Sequence, residues 1–137
     1  MIQKPAFQFQ TYIFNNILLS FQKQPPQEMS VNFEPSGVFN IEQKTFDLTL
    51  TFFAFDKENT ENPFIKINCI GTFKFEEVDV IADIPSFFWK NAVAIMFPYI
   101  RGFISSITAL ANIQPLILPT YNLGELEAPL RENTVAK

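Results

Sequence analysis

Residues Thr45 to Phe55 read TFDLTLTFFAF. Phe46, Leu48, Leu50 and Phe52 alternate with Thr45, Asp47, Thr49 and Thr51, a period of two that only an extended strand turns into one apolar and one polar face. The wholly polar run Asp56–Lys57–Glu58–Asn59–Thr60–Glu61–Asn62 follows and Pro63 closes it. Beyond it Ile65, Ile67, Cys69, Phe73 and Phe75 alternate with Lys66, Asn68, Thr72 and Lys74. Two amphipathic strands around a short polar loop predict an antiparallel hairpin, with Gly71 a candidate bulge.

Upstream, Phe7, Phe9, Thr11, Ile13, Asn15, Ile17, Leu19 and Phe21 share one face of a long strand. Tyr12, Phe14 and Leu18 interrupt the polar face opposite, so that face is expected to be partly covered. Pro25 and Pro26 end this strand. Met29, Val31 and Phe33 predict a short second strand, then a turn at Pro35–Ser36–Gly37 and a brief apolar patch at Phe39 and Ile41.

From Ser86 the period changes. Trp89, Val93, Met96, Ile100, Ile104, Ile107 and Ala111 recur at three- and four-residue steps, one face of a long helix. Asp83 or Ser86 is expected to cap it, Pro98 to kink it and Asn112 to end it. Arg101 beside Pro98 and Gly102 argues against a membrane span. Pro115–Leu116–Ile117–Leu118–Pro119 reads as an extended apolar strip, and the polar tail from about residue 124 is expected to be flexible. Four strands followed by one helix predict an α+β fold, a four-stranded antiparallel sheet with the helix packed on one face.

At 137 residues the chain is read as a single domain spanning 1–137. Only 18% of it is charged and 17 residues are Phe, too little ionic surface to coat a solitary domain, so self-association is expected. A net charge of −4 with scattered basic residues disfavours nucleic acid. There is no histidine, a single cysteine and no phosphate-binding glycine loop, which leaves no motif for a metal, a cofactor or common acid–base catalysis. Glu76, Glu77 and Asp79 read as a solvated turn. The lone Cys69 reads as an inert buried thiol, and with a Met1 to Gln10 stretch that lacks a basic patch and apolar run it suggests a cytoplasmic setting.

Phe97–Pro98–Tyr99–Ile100–Arg101, then Ile104–Ser105–Ser106, then Pro115–Leu116–Ile117–Leu118–Pro119–Thr120–Tyr121–Asn122 resemble the SecB protein-export chaperone family. That family carries a like motif in its long helix and a like strip after it, and Phe7–Gln8–Phe9–Gln10 is similar to its first strand. The resemblance implies a dimer of dimers that binds non-native polypeptides in extended form without ATP and can pass them to the SecA motor. It implies client contacts at Val31, Phe33, Ile67 and Leu123. Trp89, Val93, Met96, Ile100, Ile104 and Ile107 are read as the oligomer interface, and Tyr99 and Arg101 as buried or interfacial hydrogen-bonding groups. The family's acidic SecA-contacting positions fall at Asn16, Gln22 and Lys66, which puts SecA in doubt as a partner. Its loop aromatic falls near Pro25 or Pro26, and Gly124 with Pro129 should leave the second helix short or missing.

The leading expectation is therefore a holdase, for export or for a dedicated client such as an unstable antitoxin. A small hydrophobic ligand held between sheet and helix is the alternative, and a carboxylate-only enzyme a distant third.

Overall fold

The computed structural model describes residues 5–22 and 24–137, so the leader reading made on Met1 to Gln10 lies, at residues 1–4, outside the described residues. Strands β1 (Phe7–Leu19), β2 (Met29–Asn40), β3 (Thr45–Asp56) and β4 (Ile65–Phe75) are followed by helix α1 (Ser86–Leu110), helix α2 (Glu127–Glu132) and strand β5 (Thr134–Ala136). The sheet order is β1-β4-β3-β2-β5. The expected four-stranded antiparallel sheet is thus corrected to five mixed strands, because β5 pairs in parallel with Gly37–Phe39 of β2.

The β3–β4 hairpin is as the alternation predicts: Phe46 lies opposite Phe73, Leu48 opposite Gly71 and Phe52 opposite Ile67, all turned to the same face. Gly71 marks no bulge. A Cβ there would stand 2.8 Å from the Met96 sulfur and 2.9 Å from the Phe9 ring, so the missing side chain lets α1 approach the sheet closely.

The bulges lie instead in β1, between Phe9 and Thr11 and between Phe14 and Asn16. Each shifts the side-chain alternation by one. Between them Tyr12 and Phe14 therefore face the helix while Thr11 and Ile13 face out; after the second, Ile17 and Leu19 return to the inner side. Two of the three apparent interruptions in the polar face are these inward aromatics; the third, Leu18, does face out, opposite Lys66.

β2 runs straight through Pro35–Ser36–Gly37, where the sequence suggests a turn. Gly37 donates its N–H to Asn133 O (3.1 Å) and Phe39 O accepts from Lys137 N–H (2.9 Å), so odd residues of β2 point their main chain away from β3. Pro35 shares that phase, and its missing N–H costs the β2–β3 ladder nothing.

Helix α1 covers the inner sheet face with Phe88, Trp89, Ala92, Val93, Met96, Phe97, Ile100 and Ile104, all buried. It is apolar and long enough to cross a membrane by length and composition, but this face is spent on the sheet. Phe88 packs on the rings of Phe7, Phe46, Phe73, Phe75 and Trp89 at centroid distances of 4.8 to 5.7 Å. Neither Asp83 nor Ser86 caps the helix; Pro85 occupies the cap position without a side-chain bond. The helix runs through Pro98 and ends as expected at Asn112, which adopts a left-handed φ of 63°. Asn112 N–H bonds Ala109 O and Ile113 N–H bonds Thr108 O, the paired closure that satisfies the last carbonyls.

Fully buried Thr108 then fastens the apolar strip. Its hydroxyl donates to Ile104 O (2.7 Å) and accepts from Leu116 N–H (3.0 Å), while Ser105 Oγ donates to Leu116 O (2.8 Å). The tail expected to be flexible folds back. After a 3-10 turn at Leu123–Leu126, the short α2 buries Leu130 completely and sets the Arg131 guanidinium over Trp89, 5.1 Å from the ring centre. Pro129 falls in the first turn of α2, where a missing N–H is tolerated.

Candidate functional site

The site begins with a strand that has an open side. β5 covers β2 only at Gly37–Phe39. Val31 and Phe33 share the odd phase, so their N–H and C=O groups point away from β3 toward an edge on which no described strand pairs. Facing that edge is the segment between the Pro119 strip and α2. Together they enclose a groove of about 240 Å³ lined by Val31, Asn32 and Phe33 on one side and Tyr121, Asn122, Leu123, Glu125 and Leu126 on the other.

Three rings form its base. Phe33 meets Phe97 at 5.7 Å and Tyr121 at 5.5 Å, and Phe97 meets Tyr121 at 5.8 Å, all edge-on. Phe33 also packs on Phe52 in the sheet at 5.3 Å, so the floor is continuous with the core. Burial raises the Tyr121 phenol above its usual range, so it stays neutral. A second, larger groove of about 780 Å³ adjoins the first through Asn32 and Phe33 and runs past Glu34, Thr51, Pro129, Glu132 and Asn133 to Val135. Glu125, Glu34 and Glu132 make the walls of the two grooves acidic.

Of the residues expected to meet a client, Val31, Phe33 and Leu123 come together here. Ile67 does not. It is fully buried on the inner sheet face, paired with Ile17 and Phe52, because β4 is an inner strand whose odd residues lie under α1. The residues read as an oligomer interface need a like correction. Trp89, Val93, Met96, Ile100 and Ile104 are buried and Ile107 is partly buried against the same core, since the sheet of their own chain takes that face. Tyr99 and Arg101 are exposed, not buried. Tyr99 stacks on Tyr12 at 4.4 Å and on Phe9 at 5.5 Å. Cys69 is buried as expected, and desolvation pushes its thiol up to about 11, which keeps it protonated.

Tyr121, Leu126 and Phe97 are the site residues that sequence reasoning missed. Leu123, Leu126 and Leu130 do stand at three- and four-residue steps, a helical signal masked by Gly124 and Pro129. Chemically, the arrangement offers apolar sockets beside main-chain donors and acceptors with which no described strand pairs.

The family model described as preprotein translocase subunit SecB matches residues 7–128. An uncharacterized protein of Methanocaldococcus jannaschii is 32% identical over 136 residues, covering 94% of this chain and 87% of that protein. The solved structure of a SecB-like chaperone from Mycobacterium tuberculosis, in complex with a ChAD peptide from the HigA1 antitoxin, has the same fold, with a TM-score of 0.67. It is 13% identical, and the match covers 85% of this chain and 91% of that one.

The separation of Ile67 from the groove is testable. Ile67→Ala should lower the unfolding free energy by about 2–5 kcal/mol, the cost of a cavity in a packed core. Leu123→Ala, at the groove wall, should cost about 1 kcal/mol or less. Urea denaturation of the two variants reads both, and equal losses would place Ile67 and Leu123 in the same environment.

Proposed function

The chain belongs to the SecB family, and from that premise we propose that it is an ATP-independent chaperone that holds non-native polypeptides in extended form. The observation that carries this reading is the groove along β2. An extended chain laid there inserts apolar side chains between Val31, Phe33, Leu123 and Leu126, and bonds its backbone to the free groups of Val31 and Phe33. Neither contact demands a particular sequence, since apolar burial is non-directional and every residue but proline carries the same main-chain pair. The antitoxin peptide on the M. tuberculosis chaperone supports a polypeptide as the occupant. A small hydrophobic ligand between sheet and helix has less support, because Phe46, Phe73, Phe75 and Phe88 fill that space.

The single cysteine, kept as a thiol, fits a reducing cytoplasm, where we place the protein. We further propose the tetrameric, dimer-of-dimers assembly of the family, through surfaces other than the buried helix face. The apolar surface left over runs along the free edge of β1 and the outer side of α1: Tyr12, Ile13, Ile17, Leu18, Phe87 and Tyr99 are each between 41% and 59% exposed. Pairing of that edge with a second copy would cover them.

SecA is not proposed as a partner. Asn16 and Lys66 stand on the outer sheet face, where Lys66 lies over the Phe53 ring at 5.6 Å, and neither supplies the negative charge that would draw a basic surface. A dedicated client fits this better than general export.

Three measurements test the reading. A denatured model protein diluted into an excess of this one should aggregate more slowly, with or without ATP; Val31→Asp should weaken that protection while the fold survives. Phe33→Asp is a poorer probe, because Phe33 also packs on Phe52 and Phe97. No protection across several clients would remove the holdase reading. Light scattering should give a mass well above 15.8 kDa, and Ile13→Asp with Ile17→Asp should lower it without unfolding the chain. A wild-type monomer would end the assembly proposal. Titration with SecA from the same organism should show no salt-sensitive binding at micromolar concentration, and such binding would restore the export role.

A further inference from the structure

β5 is held by its main chain and by little else. Gly37 N–H reaches Asn133 O (3.1 Å), Lys137 N–H reaches Phe39 O (2.9 Å) and Ile41 N–H reaches Lys137 O (2.9 Å). Its side chains contribute no apolar core: Thr134 is half-buried, Val135 is 53% exposed and Ala136 is exposed. Any extended segment can make those bonds. The anchor of the tail lies one step earlier, in buried Leu130, whose carbonyl also accepts from Thr134 Oγ1. β5 can therefore leave β2 while α2 stays in place.

We infer that the β2 edge from Gly37 to Ile41 is a second strand-accepting site for an extended polypeptide, filled at rest by the chain's own β5, which yields to a long client. This rests on the holdase reading given above. The two sites are joined: the larger groove has Phe33 at one end and Val135 at the other, and Gly37 stands four positions along β2 from Phe33, about 14 Å. Past the end of β5, half-exposed Ile41 borders a further hollow of about 430 Å³ with Asn40 and Gln43, a place for one more client side chain.

Tethering decides which ligands succeed. A strand on a short linker competes at an effective concentration on the order of millimolar, so a free short peptide at micromolar concentration does not displace β5. A long chain already seated at Val31 and Phe33 is itself tethered and competes on equal terms. The second site thus selects length.

Val135→Pro removes an N–H that β5 needs for pairing, at a position with no core role. Reduced, carboxymethylated α-lactalbumin, a permanently unfolded chain, should bind this variant about 3- to 10-fold more tightly than it binds wild type, the gain expected when a tethered competitor is removed. An apolar tripeptide, about 10 Å at full extension, falls short of the step from Phe33 to Gly37 and cannot occupy both sites, so its affinity, read by NMR shifts at Leu123, should not change. In parallel, a fluorophore on Ala136→Cys of the otherwise wild-type chain should gain mobility when the unfolded chain is added. Cys69, buried with its thiol pushed up to about 11, stays unlabelled. Unchanged affinity in a folded Val135→Pro, or a label that stays immobile on client binding, overturns the inference and leaves the holdase reading standing. If wild type holds no unfolded chain at all, both fall. Should Val135→Pro fail to fold, the label alone decides.

Discussion

One helix cannot cover five strands. Neighbouring strands lie about 4.8 Å apart, so the sheet is about 19 Å wide, while a helix with its side chains is about 10–12 Å across. Helix α1 sits over the central strands, where Gly71 lets Met96 come close and Phe88 fills the space among Phe46, Phe73 and Phe75. A strip of inner face is left over on either side. On the β1 side aromatic pairs close part of it, Phe14 on Phe103 at 4.0 Å and Tyr12 on Tyr99 at 4.4 Å, and a row of apolar residues stays at the surface. On the β2 side the returning chain covers it with Tyr121, Leu123 and Leu126, incompletely, and the remaining gap is the groove. The candidate binding surface and the candidate assembly surface are both consequences of that mismatch in width.

What could be read from the sequence follows the reach of each signal. β3, β4 and α1 announce themselves because their buried residues keep one period throughout, and a period is a local property. β1 reads correctly as a long strand, but its facing does not, since two bulges exchange Ile13 for Tyr12 and Phe14 on the inner side. No local rule separates a bulge from a covered outer face; both look like apolar residues out of phase. At Pro35–Ser36–Gly37 composition misleads for a different reason. Proline and glycine usually mark turns, yet here Pro35 stands where no ladder bond is lost. A Cβ at Gly37 would lie 2.2 Å from the Phe46 ring, so the glycine answers to packing, not to a turn.

The tail was illegible because its order is borrowed. β5 has no side chain in the core and exists only where β2 offers an open edge, and α2 is fixed by one leucine and by Arg131 on Trp89. Within residues 124–137 the only local sign of helix is the spacing of Leu126 and Leu130, and Gly124 and Pro129 mask it. The groove shows the same limit. Family resemblance brings Val31, Phe33, Ile67 and Leu123 forward as a set, and three meet at one place while Ile67 lies beneath the helix. Resemblance transfers positions; burial decides which of them a ligand can touch.

Phe33 links these arguments. Its ring belongs at once to the core, against Phe52, and to the groove floor, against Phe97 and Tyr121. A floor held by edge-on ring contacts is already ordered, so a polypeptide that binds there bears mainly the cost of its own ordering. Each socket is small, and a single inserted side chain contributes about 1.5–3 kcal/mol before that cost. Affinity therefore has to come from several engagements on one chain, which is what a strand edge beside a row of sockets provides and what an enclosed pocket does not. On the proposed holdase reading, the same weakness at each contact would let a held chain leave without an energy source, since local release of one segment at a time never requires breaking all contacts together. Shallow sockets along an open strand edge are thus what the proposed holding of chains of varied sequence would call for.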